Sequence, residues 1–159
     1  IMVDPNIRPG FIDDEPRYRA RLARLIAIAD VIKVSDQDLD WLALPGSSPA
    51  THVRALMAQG VKLVLVTRGA DGVDAYLRSG LFFHVPATRV PVVDTVGAGD
   101  AFNAGFLAWL SDSGHLHKAF LSEPDTAGLQ AAIAHGNRVA GLTVGRSGAN
   151  PPWAMDLLP

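Results

Sequence analysis

The sequence predicts an α/β domain layered on a mostly parallel central sheet. Three observations carry that reading. Short, β-branched apolar runs recur, as in "VKLVLVT" at 61–67, the kind of strand that is buried on both faces. Segments with the spacing of a helix face separate them, and glycines stand where a strand passes into a helix. Their order, strand–helix–strand–helix–helix–strand followed by a hairpin and closing helices, is that of βαβ units.

Taking the elements in turn, "IMVDPNIRP" opens with a buried strand ending at Asp4, and Pro5 and Pro9 hold the next segment extended or turning. From Glu15 to Ala29, Tyr18, Leu22, Leu25, Ile26 and Ala29 follow one helix face, while Arg17, Arg21 and Arg24 fall on a solvated one. "DVIKVS" is the second strand. Ser35 with Asp38 resembles a capping box that opens a short helix through Leu42. "LPGSSP" is a turn, residues 50–59 a helix stopped by Gly60, and 61–67 the third strand. Segments 73–78 and 81–85 flank Ser79-Gly80 as a hairpin, and residues 97–111 and 126–144 are the two long closing helices.

Composition narrows the class of function. The chain has 159 residues, enough for one domain with a real core, and is 48% hydrophobic and 19% charged. A formal net charge of −2 without a long basic run argues against an electrostatic grip on nucleic acid. No apolar run reaches membrane-spanning length. The absence of cysteine excludes a disulfide framework and thiolate metal sites and fits a cytoplasmic protein. A chain that starts "IMVD", without an initiator methionine or leader, reads as an excerpt cut on its N-terminal side.

The chemistry concentrates in "VVDTVGAGDAFNAGFLAWL" at 92–110. In a parallel α/β fold, ligands gather beyond the carboxyl ends of strands, where helices begin. Gly97 and Gly99 lack a Cβ, so the backbone can turn tightly and bring several N–H groups near a ligand. The unpaired first-turn N–H groups and the positive end of the helix dipole suit an anion such as phosphate. Asp100 would stay ionised in that field and could accept a proton from a hydroxyl beside the phosphate. An anion cradle next to a base is what phosphoryl transfer to an alcohol requires. The same letters also suit a capped helix after a tight turn. Neither a G-x-x-x-x-G-K-[ST] loop nor a dinucleotide fingerprint is present, since Phe102 stands where the third glycine belongs.

The longer stretch "DTVGAGDAFNAGF" resembles the C-terminal signature of the ribokinase-like sugar kinases, the PfkB family. "DPNIRP", "IKVSDQDLDWL", "LVLVTRGADGV" and "GRSGANPP" follow in the order of the second half of such a kinase, with the bacterial fructokinases as the nearest branch. The resemblance implies a ribokinase-like three-layer α/β/α fold, incomplete, with residues 1–159 as the C-terminal half and the N-terminal half with its lid absent. It implies ATP-dependent phosphorylation of a sugar primary hydroxyl, fructose first, with little activity from this portion alone. A 2-keto-3-deoxygluconate kinase, another sugar or nucleoside kinase, or a non-catalytic nucleotide-binding remnant are the alternatives. The partners it implies are a small sugar and ATP, with neither nucleic acid nor membrane, and a homodimer through the lid.

By the same resemblance Asp100 is the general base, and the N–H groups of Val96, Gly97, Ala98, Gly99 and Asp100 form the anion hole. ATP enters with Mg²⁺, and K⁺ would lie by the Asp94 carboxylate and backbone carbonyls near Val96, Thr143 and Gly148. Thr67, Gly69, Asp71 and Gly72 in "VTRGADG" match positions near the nucleotide, and Asn137 lies in the helix lining the adenine pocket. Ser35 and Asp38 replace an Asn-x-x-Glu motif that organises Mg²⁺, so a capping role competes there. Arg8 could hold a phosphate or carboxylate bidentately, or pair with Asp4 or Asp13. His115 and His117 lack a third ligand and read as a surface turn; Trp41, Trp109 and Trp153 read as core or edge packing.

Overall fold

The computed structural model describes residues 1–43 and 48–157. The chain divides into two compact units, Ile1–Arg68 with Asp74–His84, and Gly69–Val73 with Val85–Pro159. Its strands are β1 (Met2–Val3), β2 (Val31–Ser35), β3 (Leu63–Thr67), β4 (Val73–Leu77) and β5 (Phe82–Val85). The α-helices are α1 (Glu15–Ile26), α2 (Asp36–Leu42), α3 (Pro49–Ala58), α4 (Ala98–Asp112) and α5 (Thr126–Val144). Of the expected "LPGSSP" turn, residues 44–47 lie outside the described residues.

The strands form one sheet in the order β1-β2-β3-β4-β5. β1, β2 and β3 are parallel, with Met2 opposite Val31 and Ile32 opposite Val64. The expected hairpin follows: the Leu77 N–H donates to the Leu81 carbonyl at 2.9 Å, around Ser79-Gly80. In the first unit, Ile32, Val34, Val64 and Val66 on one sheet face pack with Leu22 and Ile26 of α1, Leu39 of α2, and Val53 and Leu56 of α3. Val31, Leu63 and Leu65 on the other face are buried too, which explains why β3 reads as an apolar run; β2 carries Lys33 on that face, buried and paired with Asp4 at 2.9 Å.

One element departs from its expected face. Leu25 is 48% exposed although it was grouped with Leu22 and Ile26. At 100° per residue the buried stripe is centred between those two, and Leu25 falls roughly 80° off that centre. The helix ends at Ile26, and Ala29 is buried beyond it. Arg17, Arg21 and Arg24 are exposed, as their face predicts.

In the second unit, α4 and α5 meet through small residues. A Cβ on Gly105 would lie 2.7 Å from the Val139 side chain, and one on Gly136 would lie 3.0 Å from the Phe102 carbonyl oxygen. The backbones therefore approach where any side chain would hold them apart. Among the described residues no helix is long and apolar enough to cross a membrane.

Candidate active site

Helix α4 begins differently from its neighbours. Asp14, Ser35, Ser48 and Asp125 cap α1, α2, α3 and α5 by accepting backbone N–H groups of the first turn. The N-cap of α4 is Gly97, with φ of +78° and no side chain to offer. That left-handed backbone favours glycine, and a Cβ there would also stand 3.0 Å from the Ala149 methyl. Glycine thus answers two demands at once, a turn and a close approach.

The result is a cluster of unpaired donors. The Val96 N–H donates to Asp94 Oδ1 at 3.0 Å, and the Ala98 N–H to the Thr95 carbonyl at 3.3 Å. Among the described residues, the N–H groups of Gly97, Gly99 and Asp100 have no acceptor. Of the expected donors Val96 through Asp100, these three are left without an acceptor, and the other two amides are satisfied within the turn. Asp100 stands at the third helical position, exposed, and its carboxylate has no hydrogen-bond partner among the described residues. A free carboxylate beside unpaired N–H groups at the positive end of a 15-residue helix can take a proton while the amides hold negative charge.

Behind this turn lies a second cluster. The Val93 and Asp94 N–H groups donate to the Val144 carbonyl at the end of α5, at 2.8 and 3.1 Å. Asp94 accepts through Oδ1 from Val96 and through Oδ2 from the Gly148 N–H at 2.9 Å. Those backbone bonds, Val96 first and Gly148 next, hold the Asp94 carboxyl below its usual range. Asp94, Val96, Thr143 and Gly148 are thereby brought together. Their donor set, one carboxylate and backbone carbonyls, is all hard oxygen and fits an alkali cation. The bonded oxygens keep further lone pairs, although the Thr143 carbonyl already accepts from Gly145 and Arg146.

A third group gathers around the loop after β3. Gly69–Asp71 forms a 3₁₀ turn, and Asp71 is exposed. Gly72 has φ of +107°, and a Cβ there would overlap the Val85 carbonyl and stand 2.7 Å from the Ala87 nitrogen. Asn137 is buried, and its NH₂ donates to the carbonyls of Val85 and Pro86 at 3.3 and 3.2 Å. Its amide thus holds the segment that Gly72 lies against. At the end of β3 the Thr67 hydroxyl donates to the Val34 carbonyl at 3.3 Å.

Ser35, Asp38 and Arg8 belong to the first unit. Ser35 Oγ accepts the Asp38 N–H at 3.0 Å, so the capping reading holds for Ser35. Asp38 does not complete the box: it is buried, and its Oδ1 accepts the N–H of Ile7, 31 residues away, at 3.0 Å. Both side chains thus satisfy backbone donors of the fold, through Ser35 Oγ and Asp38 Oδ1. Arg8 is exposed and donates to the Ile7 carbonyl at 2.9 Å, while Asp4 pairs with Lys33 at 2.9 Å. Asn6, next to Arg8, has φ of +44° without being glycine.

His115 bonds Ser113 Oγ at 2.8 Å, and His117 Nδ1 accepts the Phe120 N–H at 3.2 Å, so both shape a turn. Among the described residues no group of three or more His, Cys, Asp or Glu could hold a metal ion. Trp41 packs under Arg19 and against Tyr18, as core-edge packing predicts. Trp153 does not: it is 75% exposed, on a tail tied by Arg146 and Asp156 rather than by ring contacts. Sequence reasoning missed Ala149, which closes over Gly97, and the Ile7 amide that claims Asp38. Neither carries a signal in local spacing.

These features are those of an α/β domain in which unpaired helix-start amides adjoin an uncommitted carboxylate. The chain belongs to the pfkB family of carbohydrate kinases, whose model matches residues 2–155. It is 46% identical over 130 residues to a fructokinase of Rhizobium leguminosarum bv. trifolii, covering 82% of this chain and 39% of that protein. Among solved structures, fructokinase with bound ATP from Xylella fastidiosa matches with a TM-score of 0.80 at 30% identity, over 93% of this chain and 46% of that one. A double mutant of fructokinase from Vibrio cholerae O395, bound to fructose, ADP and potassium ion, matches with a TM-score of 0.79 at 28% identity, over 93% and 45%. The chain spans less than half the length of these relatives. Its fold is the ribokinase-like α/β fold the sequence predicted, with three parallel strands and a hairpin.

Proposed function

We propose that the protein containing this chain is an ATP-dependent sugar kinase, with fructose as the acceptor. The observation that carries the reading is the start of α4, where three unpaired N–H groups adjoin the uncommitted Asp100 carboxylate. In this reading Asp100 takes the proton of the sugar's primary hydroxyl as that oxygen attacks the γ-phosphorus of ATP. The N–H groups of Gly97, Gly99 and Asp100 take the charge developing on the transferred group, while Ala98 shapes the turn between them. Thr67, Gly69, Asp71 and Gly72 serve the nucleotide, Asn137 holds the neighbouring segment, and Arg8 is a guanidinium able to hold a phosphate or carboxylate bidentately.

Mg²⁺ would enter with the ATP phosphates and neutralise their charge, and Ser35 and Asp38 stand where the family resemblance puts the residues that organise it through water. Asp94 with the carbonyls near Val96, Thr143 and Gly148 would hold K⁺, which supplies a fixed positive charge behind the anion site. The likeness to a fructokinase and to structures bound to ATP, or to fructose, ADP and potassium ion, supports this assignment. In the same reading this chain is the C-terminal half of a cytoplasmic kinase domain, and an N-terminal half supplies the lid, further sugar contacts and the surface for a homodimer.

The test is sugar-dependent ADP release by the full-length protein with ATP, Mg²⁺ and K⁺, comparing fructose, ribose and 2-keto-3-deoxygluconate. Turnover with fructose that needs K⁺ is expected. Turnover with another acceptor alone would overturn the substrate, and ATP binding without turnover on any would overturn the kinase.

A further inference from the structure

A buried acid outside the site described above ties together the two ends of the loop after β3. Asp74 is the second residue of β4, in a strand where aspartate is a poor former, and it is 7% exposed. Both of its oxygens are engaged. Oδ2 accepts from Arg68 Nε at 2.6 Å, and Oδ1 lies 2.7 Å from His84 Nδ1. Arg68 directly precedes the 69–73 segment and Asp74 directly follows it, so this one ion pair closes the loop at its base. His84 directly precedes Val85, whose carbonyl lies against Gly72.

The loop has need of such a closure. Gly69 and Gly72 both adopt positive φ, +54° and +107°, and glycine gives up more backbone freedom on ordering than any other residue. Gly72 lies so close to Val85 and Ala87 that a Cβ would clash with both, so the loop has one tight fit to keep. The bond to Asp74 is also the chief reason that the Arg68 guanidinium is held above its ordinary pKa. Arg68 and His84 remain more than a third exposed, so nothing in their own burial compels the pairing; the buried partner does.

We propose that Asp74 is a positioning residue that holds the 69–73 loop in its nucleotide-binding shape by clamping Arg68, which precedes the loop, together with His84. The proposal rests on the assignment of that loop to the nucleotide made above. An acid that acts only through the loop changes nucleotide affinity and leaves the sugar site and the chemical step alone. If its removal leaves the loop in the competent shape about a tenth of the time, the apparent ATP affinity falls about ten-fold.

The experiment compares full-length wild type with Asp74→Asn, Arg68→Gln and His84→Gln by amide hydrogen exchange without nucleotide and by steady-state kinetics. Asp74→Asn should speed exchange at 69–73 and 85–87, raise KM for ATP about ten-fold, and leave KM for fructose and kcat at saturating ATP within about two-fold. Arg68→Gln should move the same quantities less, and adding it to Asp74→Asn should change little further. The single variants of the two exposed partners keep the test decisive if Asp74→Asn does not fold. Unchanged exchange at 69–73 in folded variants, or equal loss in both KM values, would overturn the proposal. Wild type that binds no ATP would overturn the nucleotide reading itself, and the exchange data would still decide whether Asp74 anchors the loop.

Discussion

Helices α2 and α4 start with the same letter in the same place and put it to opposite uses. Each carries an aspartate at its third position, Asp38 and Asp100. At α2 the N-cap is Ser35, whose hydroxyl satisfies the Asp38 N–H, and Asp38 itself is buried with an oxygen on the Ile7 amide. At α4 the N-cap is a glycine, the first-turn amides stay unpaired, and Asp100 is exposed. An acid at a helix start is structural when a cap and a backbone donor use it up. It is available for chemistry when the cap has no side chain and the local donors are left for a ligand.

That contrast can be broken at several points. Gly97→Ala in the full-length protein should be the most damaging, because it strains a φ of +78° and drives a methyl toward Ala149. Displacing the donors should cost about 10²–10³-fold in kcat, the scale of losing an oxyanion donor. A variant that is only less heat-stable, with kcat intact, would show that these amides do not hold the phosphoryl group.

At α2 the expectation reverses. Asp38→Asn should destabilise the fold by about 1–3 kcal/mol in denaturant titration, because a buried backbone donor loses its charged acceptor, while KM for Mg·ATP stays near wild type. A selective loss of magnesium dependence would return Asp38 to the metal. Ser35→Ala removes one cap and should cost about 1 kcal/mol by the same titration.

The smallest effect sharpens the comparison at the tail, where Asp156 accepts from Arg146 at 2.9 Å and from the Trp153 N–H at 3.0 Å. Those bonds, Arg146 first, lower the Asp156 pKa below its ordinary 3.8. A group with a depressed folded pKa stabilises above its unfolded pKa and loses that contribution as pH falls through the folded one. The melting temperatures of wild type and Asp156→Asn should therefore differ slightly at pH 7 and converge below pH 3.8. A difference that persists in acid would mean that the charge is not what ties the tail.

Much of this was legible in the sequence, for physical reasons. Strands buried on both faces write apolar runs, so β3 stood out, as did β2 around its single Lys33, and a glycine cap followed by an acid is a local pattern, so Asp100 did too. Asp38 could not be read, because its deciding partner, Ile7, lies 31 residues away and donates a backbone N–H that every residue has. Asp74 was not read for a different reason: its partners Arg68 and His84 are side chains six and ten residues away, and the loop and the hairpin bring them to it. Leu25 misled because a helix face has an edge, and the sequence shows the stripe without showing where its neighbour ends.

The most direct test of the difference between the two helix starts is the turnover of full-length Asp100→Asn with fructose, measured beside its affinity for ATP. The substitution keeps the shape and removes the base, so kcat should fall about 10²–10⁴-fold while ATP binds as before. Full activity, or a loss of ATP binding that matches the loss of turnover, would make Asp100 a second Asp38, a carboxylate that serves the fold.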